Sequence, residues 1–234
     1  MPKIWINPRI YEIPNGIEEI SNEYHEEFYR PYDYWERAEH LIDKDDHSEF
    51  DLRDGISNLK KAVDLRFKLI EKLYSFRFLE GKGDKRKYVS ILADYDMIRP
   101  LFIDSLFQVR NICEHQDAPP PSVDRCKELL DVVWYFIKST DNRCRNRPEV
   151  IDFDDFDEGN NKFTIAYRDT QSLIIFIVGK IDKAHSLVSA IEKWHCITPK
   201  VSPVEHDNFF QFNTEALISK SFGQELLQNL VHRP

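Results

Sequence analysis

A run of apolar residues at three- and four-residue steps constrains this chain most. Leu52, Ile56, Leu59, Val63, Ile70 and Leu73 hold one face of a helix apolar over about 48–78. Arg66 interrupts the strict seam, and Phe67 takes its place as a straight helix drifts around. Gly55 is a local weakness of about 1 kcal/mol. A first helix is expected over about 32–44, with Tyr34, Trp35, Ala38, Leu41 and Ile42 on one side. A third helical region spans about 86–114 and is divided by Pro100, which kinks one helix or begins a new one. Ala118-Pro119-Pro120-Pro121 ends it. Ser122 is a good N-cap for a fourth helix, which runs along Val123, Cys126, Leu130, Val133 and Ile137 to about Ser139. Four helices joined by short connections predict an up-down bundle.

Other stretches read differently. Residues 1–31 are punctuated by prolines at 2, 8, 14 and 31, which predicts an irregular arm that packs through Trp5, Ile6, Tyr11 and Ile13. From 141 to 161 the composition changes. Arg143, Arg145 and Arg147 precede an acidic group of Asp152, Asp154, Asp155, Asp157 and Glu158, which reads as a linker or surface loop. The three arginines are candidates for touching RNA; the other reading is that they solvate the linker or pair with the acidic run. Residues 162–168 alternate like a strand, and 173–178 form a β-branched apolar run. A helix over 182–194, strands near 196–204 and 208–213 and a helix over 214–231 complete a β-β-α-β-β-α order. The fold class expected is therefore an α-helical bundle followed by a small α+β domain, divided as 1–140, a linker at 141–161, and 162–234.

Charge and cysteines narrow the function classes. The chain of 234 residues has a formal net charge of -9, so RNA contact must use local positive groups against an unfavourable background. The cysteines at 113, 126, 144 and 196 have no CxxC spacing, which predicts reduced thiols in a cytosol and neither a disulfide frame nor a zinc site. His185, His195 and His206 have no metal-ligand spacing among themselves. No Walker loop, dinucleotide glycine pattern or nucleophile elbow is present, and no metal or cofactor is expected. The first residues lack an apolar h-region, and the longest apolar run, 173–178, is too short to span a bilayer. A cytoplasmic protein without a membrane partner is the expectation.

The candidate chemistry lies at Arg110-Asn111-Ile112-Cys113-Glu114-His115. Read as a helix, Ile103, Leu106 and Phe107 form an apolar stripe on which Arg110 comes next. Asn111 and His115 lie four apart and share the neighbouring face. Three groups able to handle a phosphate thus gather at one helix end. The same residues also read as a surface helix end, with Arg110 and Glu114 as an i,i+4 ion pair and His115 stabilising the C-terminus.

About the first 140 residues resemble a HEPN domain, a family of all-helical domains that includes many endoribonucleases. The likeness rests on residues 51–63, on Arg110-Asn111-x-x-x-His115, and on 128–137, which resembles the closing helix of such proteins. The resemblance implies metal-independent RNA cleavage in a cleft built by two copies. Arg110, Asn111 and His115 would be catalytic, with Glu114 auxiliary. It also implies a toxin or antiphage-defence setting. Some members carry a tyrosine two residues after the histidine, where a partner nucleotidyltransferase acts; Asp117 stands there in this chain, and no such partner is expected. A competing reading is a non-catalytic HEPN-fold interaction or nucleotide-binding module that docks a protein partner through residues 150–234.

Overall fold

The strands expected to belong to a small domain are part of a nine-stranded sheet. In the computed structural model the described residues are 3–21, 25–80, 88–99, 111, 119–155, 161–169 and 171–232. Nine strands occur among them: β1 (Ile4–Ile6), β2 (Asn15–Ser21), β3 (Asn146–Asp154), β4 (Lys162–Asp169), β5 (Ile174–Asp182), β6 (Ser186–Leu187), β7 (His195–Pro199), β8 (Val204–Glu205) and β9 (Phe209–Ile218). Their order in one sheet is β2-β3-β4-β5-β9-β7-β1-β6, with β8 on β9. The helices are α1 (His25–Ile42), α2 (Glu49–Tyr74), α3 (Phe76–Glu80), α4 (Tyr88–Asp94), α5 (Val123–Ser139), α6 (Asp141–Arg145) and α7 (Lys220–His232). The fold is mixed α/β and contains a large antiparallel sheet. The expectation of a helical bundle followed by a small α+β domain is therefore corrected.

Residue contacts divide the chain into two compact units: Met1–Ile20 with Ser75–Asp84 and Pro148–Pro234, and Ser21–Tyr74 with Lys85–Arg147. The first unit holds the sheet. Buried residues alternate along its central strands: Ile151 and Phe153, Phe163 and Ile165, Ile175 and Ile177, and Phe210 and Phe212, as a sheet with one covered face requires. Phe222, Leu226, Leu227 and Leu230 of α7 are buried in the same unit. The Phe222 ring stacks on His195 of β7 at 4.5 Å. Gln224 Nε2 donates to the Leu79 carbonyl of α3 at 3.2 Å.

Three stretches that contribute strands to the sheet differ from the sequence reading, each through non-local pairing. The arm at 1–31 contributes β1, whose Ile4, Trp5 and Ile6 pair with Ile197, Cys196 and His195. The segment 141–161, expected as a linker, instead supplies α6 and β3; its Val150, Ile151, Asp152 and Phe153 pair with Ala166, Ile165, Thr164 and Phe163. Asp152 and Asp154, two of the acidic residues that suggest a loop, take the less buried positions in this strand's alternation; Asp157 and Glu158 lie outside the described residues. The helix expected over 182–194 is not formed. Asp182 Oδ1 accepts from the Ala184 amide at 2.6 Å, an Asx turn that diverts the chain from a helix. Ser186 and Leu187 then pair with Ile6 and Trp5.

The second unit is helical. α1 lies along α2, and α5 packs on both. At Gly55 of α2 an added Cβ would lie 2.7 Å from Ile42 Cγ1, so this glycine lets α1 approach. The α5 cap is the expected one: Ser122 Oγ accepts from the Arg125 amide at 3.3 Å, satisfying a donor that the helix leaves unpaired. α2 begins with a reciprocal cap in which Asp51 accepts from the Ser48 amide at 2.9 Å and the Asp51 amide donates to Ser48 Oγ at 3.2 Å.

Candidate functional site

The motif expected to be catalytic falls almost wholly outside the described residues. Arg110, Glu114 and His115 lie outside them, as does the stripe Ile103, Leu106 and Phe107. Asn111 is described; it is helical and exposed.

The helical unit contains a charged cluster that the seam of α2 brings about. Arg66 sits at a position where the apolar face faces inward, and it is fully buried. Its Nη2 donates to Asp141 Oδ1 of α6 at 3.0 Å. Its guanidinium carbon lies 4.9 Å from the Phe28 ring centre and 5.9 Å from that of Tyr32. Cation–π attraction offsets part of the desolvation of a buried guanidinium. Nε and Nη1 of Arg66 have no hydrogen-bond acceptor, so Asp141 carries most of the compensation. Asp141 Oδ2 also accepts from the Tyr32 hydroxyl at 2.6 Å and lies 3.9 Å from Lys138 Nζ. Burial pushes the Tyr32 hydroxyl pKa well up, and its bond to the Asp141 carboxylate adds to this. Burial likewise raises the Cys144 thiol, which the neighbouring Arg66 charge opposes. Such a network locks α1, α2 and α6 together. It contains no exposed nucleophile and no base aimed at open space.

The three arginines considered for RNA contact stand on both sides of the α6–β3 junction. Arg143 and Arg145 belong to α6 and Arg147 to β3. Arg147 Nη1 donates to the Leu73 carbonyl at 3.1 Å, and the Arg145 guanidinium lies 4.5 Å from the Phe28 ring centre. Each of the three has further interactions within the fold. Arg145 and Arg147 thus hold residues 141–147 to α1 and α2 within the helical unit.

The sheet unit has a second polar group that the sequence did not single out. His195 Nε2 lies 2.8 Å from Glu225 Oε2. The Tyr11 hydroxyl is buried without a hydrogen-bond partner; burial first, and the Glu225 charge second, raise its pKa well above the usual phenol value. The signal available was weak: a histidine at an inward strand position and a glutamate on a helix 30 residues later. On the opposite sheet face a row of Asp152, Thr164, Val178 and Asn213 crosses β3, β4, β5 and β9. The Thr164 hydroxyl donates to Asp152, and Lys162 pairs with Asp154 at 3.0 Å. This face is mixed in charge, and a shallow depression lined by Asp152, Lys162, Thr164, Lys180 and Gln211 lies on it.

Among the described residues, no three His, Cys, Asp or Glu side chains group so as to hold a metal ion, and no helix is long and apolar enough to cross a membrane. No protein-family model, curated protein or solved structure matches the chain.

Proposed function

We propose that the protein is a metal-independent endoribonuclease of the HEPN type, acting as a homodimer on single-stranded or loop RNA in a toxin or antiphage-defence setting. The observation that carries this reading is the sequence Arg110-Asn111-x-x-x-His115 placed just before the proline turn and the Ser122-capped helix α5. Two structural facts support it. Asn111 is helical and exposed, as a residue that meets substrate must be. The helices that precede and follow the motif in sequence, α1, α2 and α5, pack on one another.

The chemistry follows from the residue types. A base removes the proton of a ribose 2′-hydroxyl, and that oxygen bonds to the adjacent phosphorus. The bond from phosphorus to the 5′-oxygen breaks, and an acid protonates the leaving oxygen. The products are a 2′,3′-cyclic phosphate and a 5′-hydroxyl. One histidine in one protonation state cannot be base and acid at once, so two copies of His115 share the work across a dimer axis. Arg110 holds the phosphate by a forked contact and offsets its growing charge. Asn111 orients the phosphate or the ring through its amide, and Glu114 tunes its neighbours. Acid, base and guanidinium together supply what this transesterification demands.

The test compares wild type with His115→Ala and Arg110→Lys on a labelled RNA and its 2′-deoxy counterpart. Wild type cuts only the RNA. His115→Ala loses about a hundred- to ten-thousand-fold in rate, and Arg110→Lys also fails because lysine lacks the planar fork. Equal cutting of the deoxy strand, or a folded His115→Ala protein as active as wild type, refutes the mechanism. A second reading, a non-catalytic module that docks a protein partner through residues 150–234, draws on the exposed Val201, Val204 and Leu217 of the sheet unit. Inert wild type that captures a partner through that unit favours it.

A further inference from the structure

Helix α5 buries one side completely: Cys126, Leu129, Leu130, Val133, Phe136 and Ile137 are all in the core. Its orientation is fixed further by Trp35 of α1, whose Nε1 donates to the Leu130 carbonyl at 2.9 Å. The opposite side is therefore held toward solvent and cannot rotate inward. Asp131, Trp134, Tyr135 and Lys138 lie there in one stripe, since steps of three, one and three residues return to the same helix face. Asp131 and Lys138 are exposed and Trp134 is partly so. Tyr135 is 57% exposed. The two rings meet edge to face at 5.1 Å, so they stand out as one preorganised wedge. Lys138 is steadied at the end of the stripe, its Nζ 4.7 Å from the Tyr32 ring centre and 5.6 Å from that of Trp134.

We infer that this stripe pairs antiparallel with the same stripe of a second copy of the chain. The argument is the order of its charges. An acid stands toward the N-terminal end, a cation toward the C-terminal end, and the aromatic pair lies between them. A second copy laid parallel sets acid on acid and cation on cation. Turned about a two-fold axis between Trp134 and Tyr135, it sets Asp131 against Lys138 twice and Trp134 against Tyr135 twice. A two-fold interface demands that kind of self-complementary patch, and a partly exposed Trp beside an exposed Tyr, flanked by charge, suits the centre and rim of an interface. The functional meaning of this pairing rests on the endoribonuclease reading, which asks for two copies of His115; its geometry does not.

The test is sedimentation velocity of the full chain across a concentration series, with circular dichroism confirming that each variant is folded. Wild type is dimeric. Asp131→Lys and Lys138→Asp each weaken the dimer about tenfold or more, because every substitution acts twice across the axis. The double reversal, Asp131→Lys with Lys138→Asp, restores it, and Tyr135→Glu abolishes it. A monomeric wild type overturns the inference. So does a dimer indifferent to all four variants, or a double reversal no better than the single ones; in those cases the stripe serves a foreign partner or none. RNA cleavage is read separately on the same samples. A dimer that responds as stated but cuts no RNA leaves this interface standing and removes the nuclease reading.

Discussion

Asp141→Ala tests the buried cluster of the helical unit. Arg66 is 0% exposed, and its hydrogen bond to Asp141 at 3.0 Å is its ion pair. Removing one member of a buried pair costs about 3–5 kcal/mol, because the other charge stays buried without compensation. The Asp141 side chain is 17% exposed, which places the loss near the lower end, about 3 kcal/mol. The Tyr32 hydroxyl loses its acceptor at the same time. Arg66→Met behaves differently. It replaces the guanidinium with an apolar chain of similar length, and the Asp141 left behind keeps the Tyr32 hydroxyl and Lys138 and can reach water. Its cost is about 1 kcal/mol. The double variant is then less damaged than the sum of the two, with a coupling of about 2–3 kcal/mol. Urea unfolding followed by tryptophan fluorescence reads this, since Trp35 and Trp134 both belong to the helical unit. If Asp141→Ala costs under about 1 kcal/mol, or the two effects simply add, the pair does not carry the compensation argued here.

Two further perturbations act at defined backbone positions. Gly179→Ala sets a Cβ 2.2 Å from the Lys162 carbonyl oxygen at a φ of +115°; backbone cannot yield as a side chain can, and a loss of about 2–3 kcal/mol is expected in thermal unfolding. Ser48→Ala removes the cap of α2 and costs about 1 kcal/mol. The Asp51 carboxyl that completes this cap is held well below its usual pKa, first by Lys44 and then by the Ser48 amide. Its contribution is present above the unfolded value of about 3.9 and is lost as pH falls toward the lower folded value. Acid titration of Asp51→Asn lacks that part of the wild-type slope, and an unchanged slope refutes the assignment.

Where the fold was legible, the signal was local. Ser122 caps α5 because serine after a proline run offers its hydroxyl to the next amides, a decision made within four residues. The apolar steps of α2 likewise report one face of one element. The sheet was hidden because its decisive contacts join distant parts of the chain. Ile4, Trp5 and Ile6 are too few to declare a strand alone, and they become one by pairing with residues near 196 and 187. In β3 the charge pattern misled: Asp152 and Asp154 look like loop composition, yet they alternate with buried Ile151 and Phe153. A period of two with acids on one phase is a strand with a wet face. The Asx turn at Asp182 made the opposite trap, since Ala184, Leu187, Val188 and Ile191 keep helical spacing while the chain turns to meet β1.

The same distinction bears on the candidate site. Arg66 broke the seam of α2 visibly in the sequence, and a charge at an inward position demands an acid somewhere. Nothing local says that the acid is Asp141, 75 residues away, because that choice is made by how α2 and α6 meet. Once the pair is known, Arg145 takes its place beside the same Phe28 ring, and part of the run 143–147 acquires a structural duty in place of free positive charge. With Arg145 and Arg147 engaged within the fold, the proposed endoribonuclease reading assigns the hold on the phosphate to Arg110 and its copy across the proposed dimer axis. On that proposal, loss of dimerisation weakens RNA binding as well as catalysis, and titration of RNA against Tyr135→Glu reads that loss directly. If the monomeric variant binds RNA as tightly as wild type, the phosphate is held elsewhere and Arg110 is not its anchor.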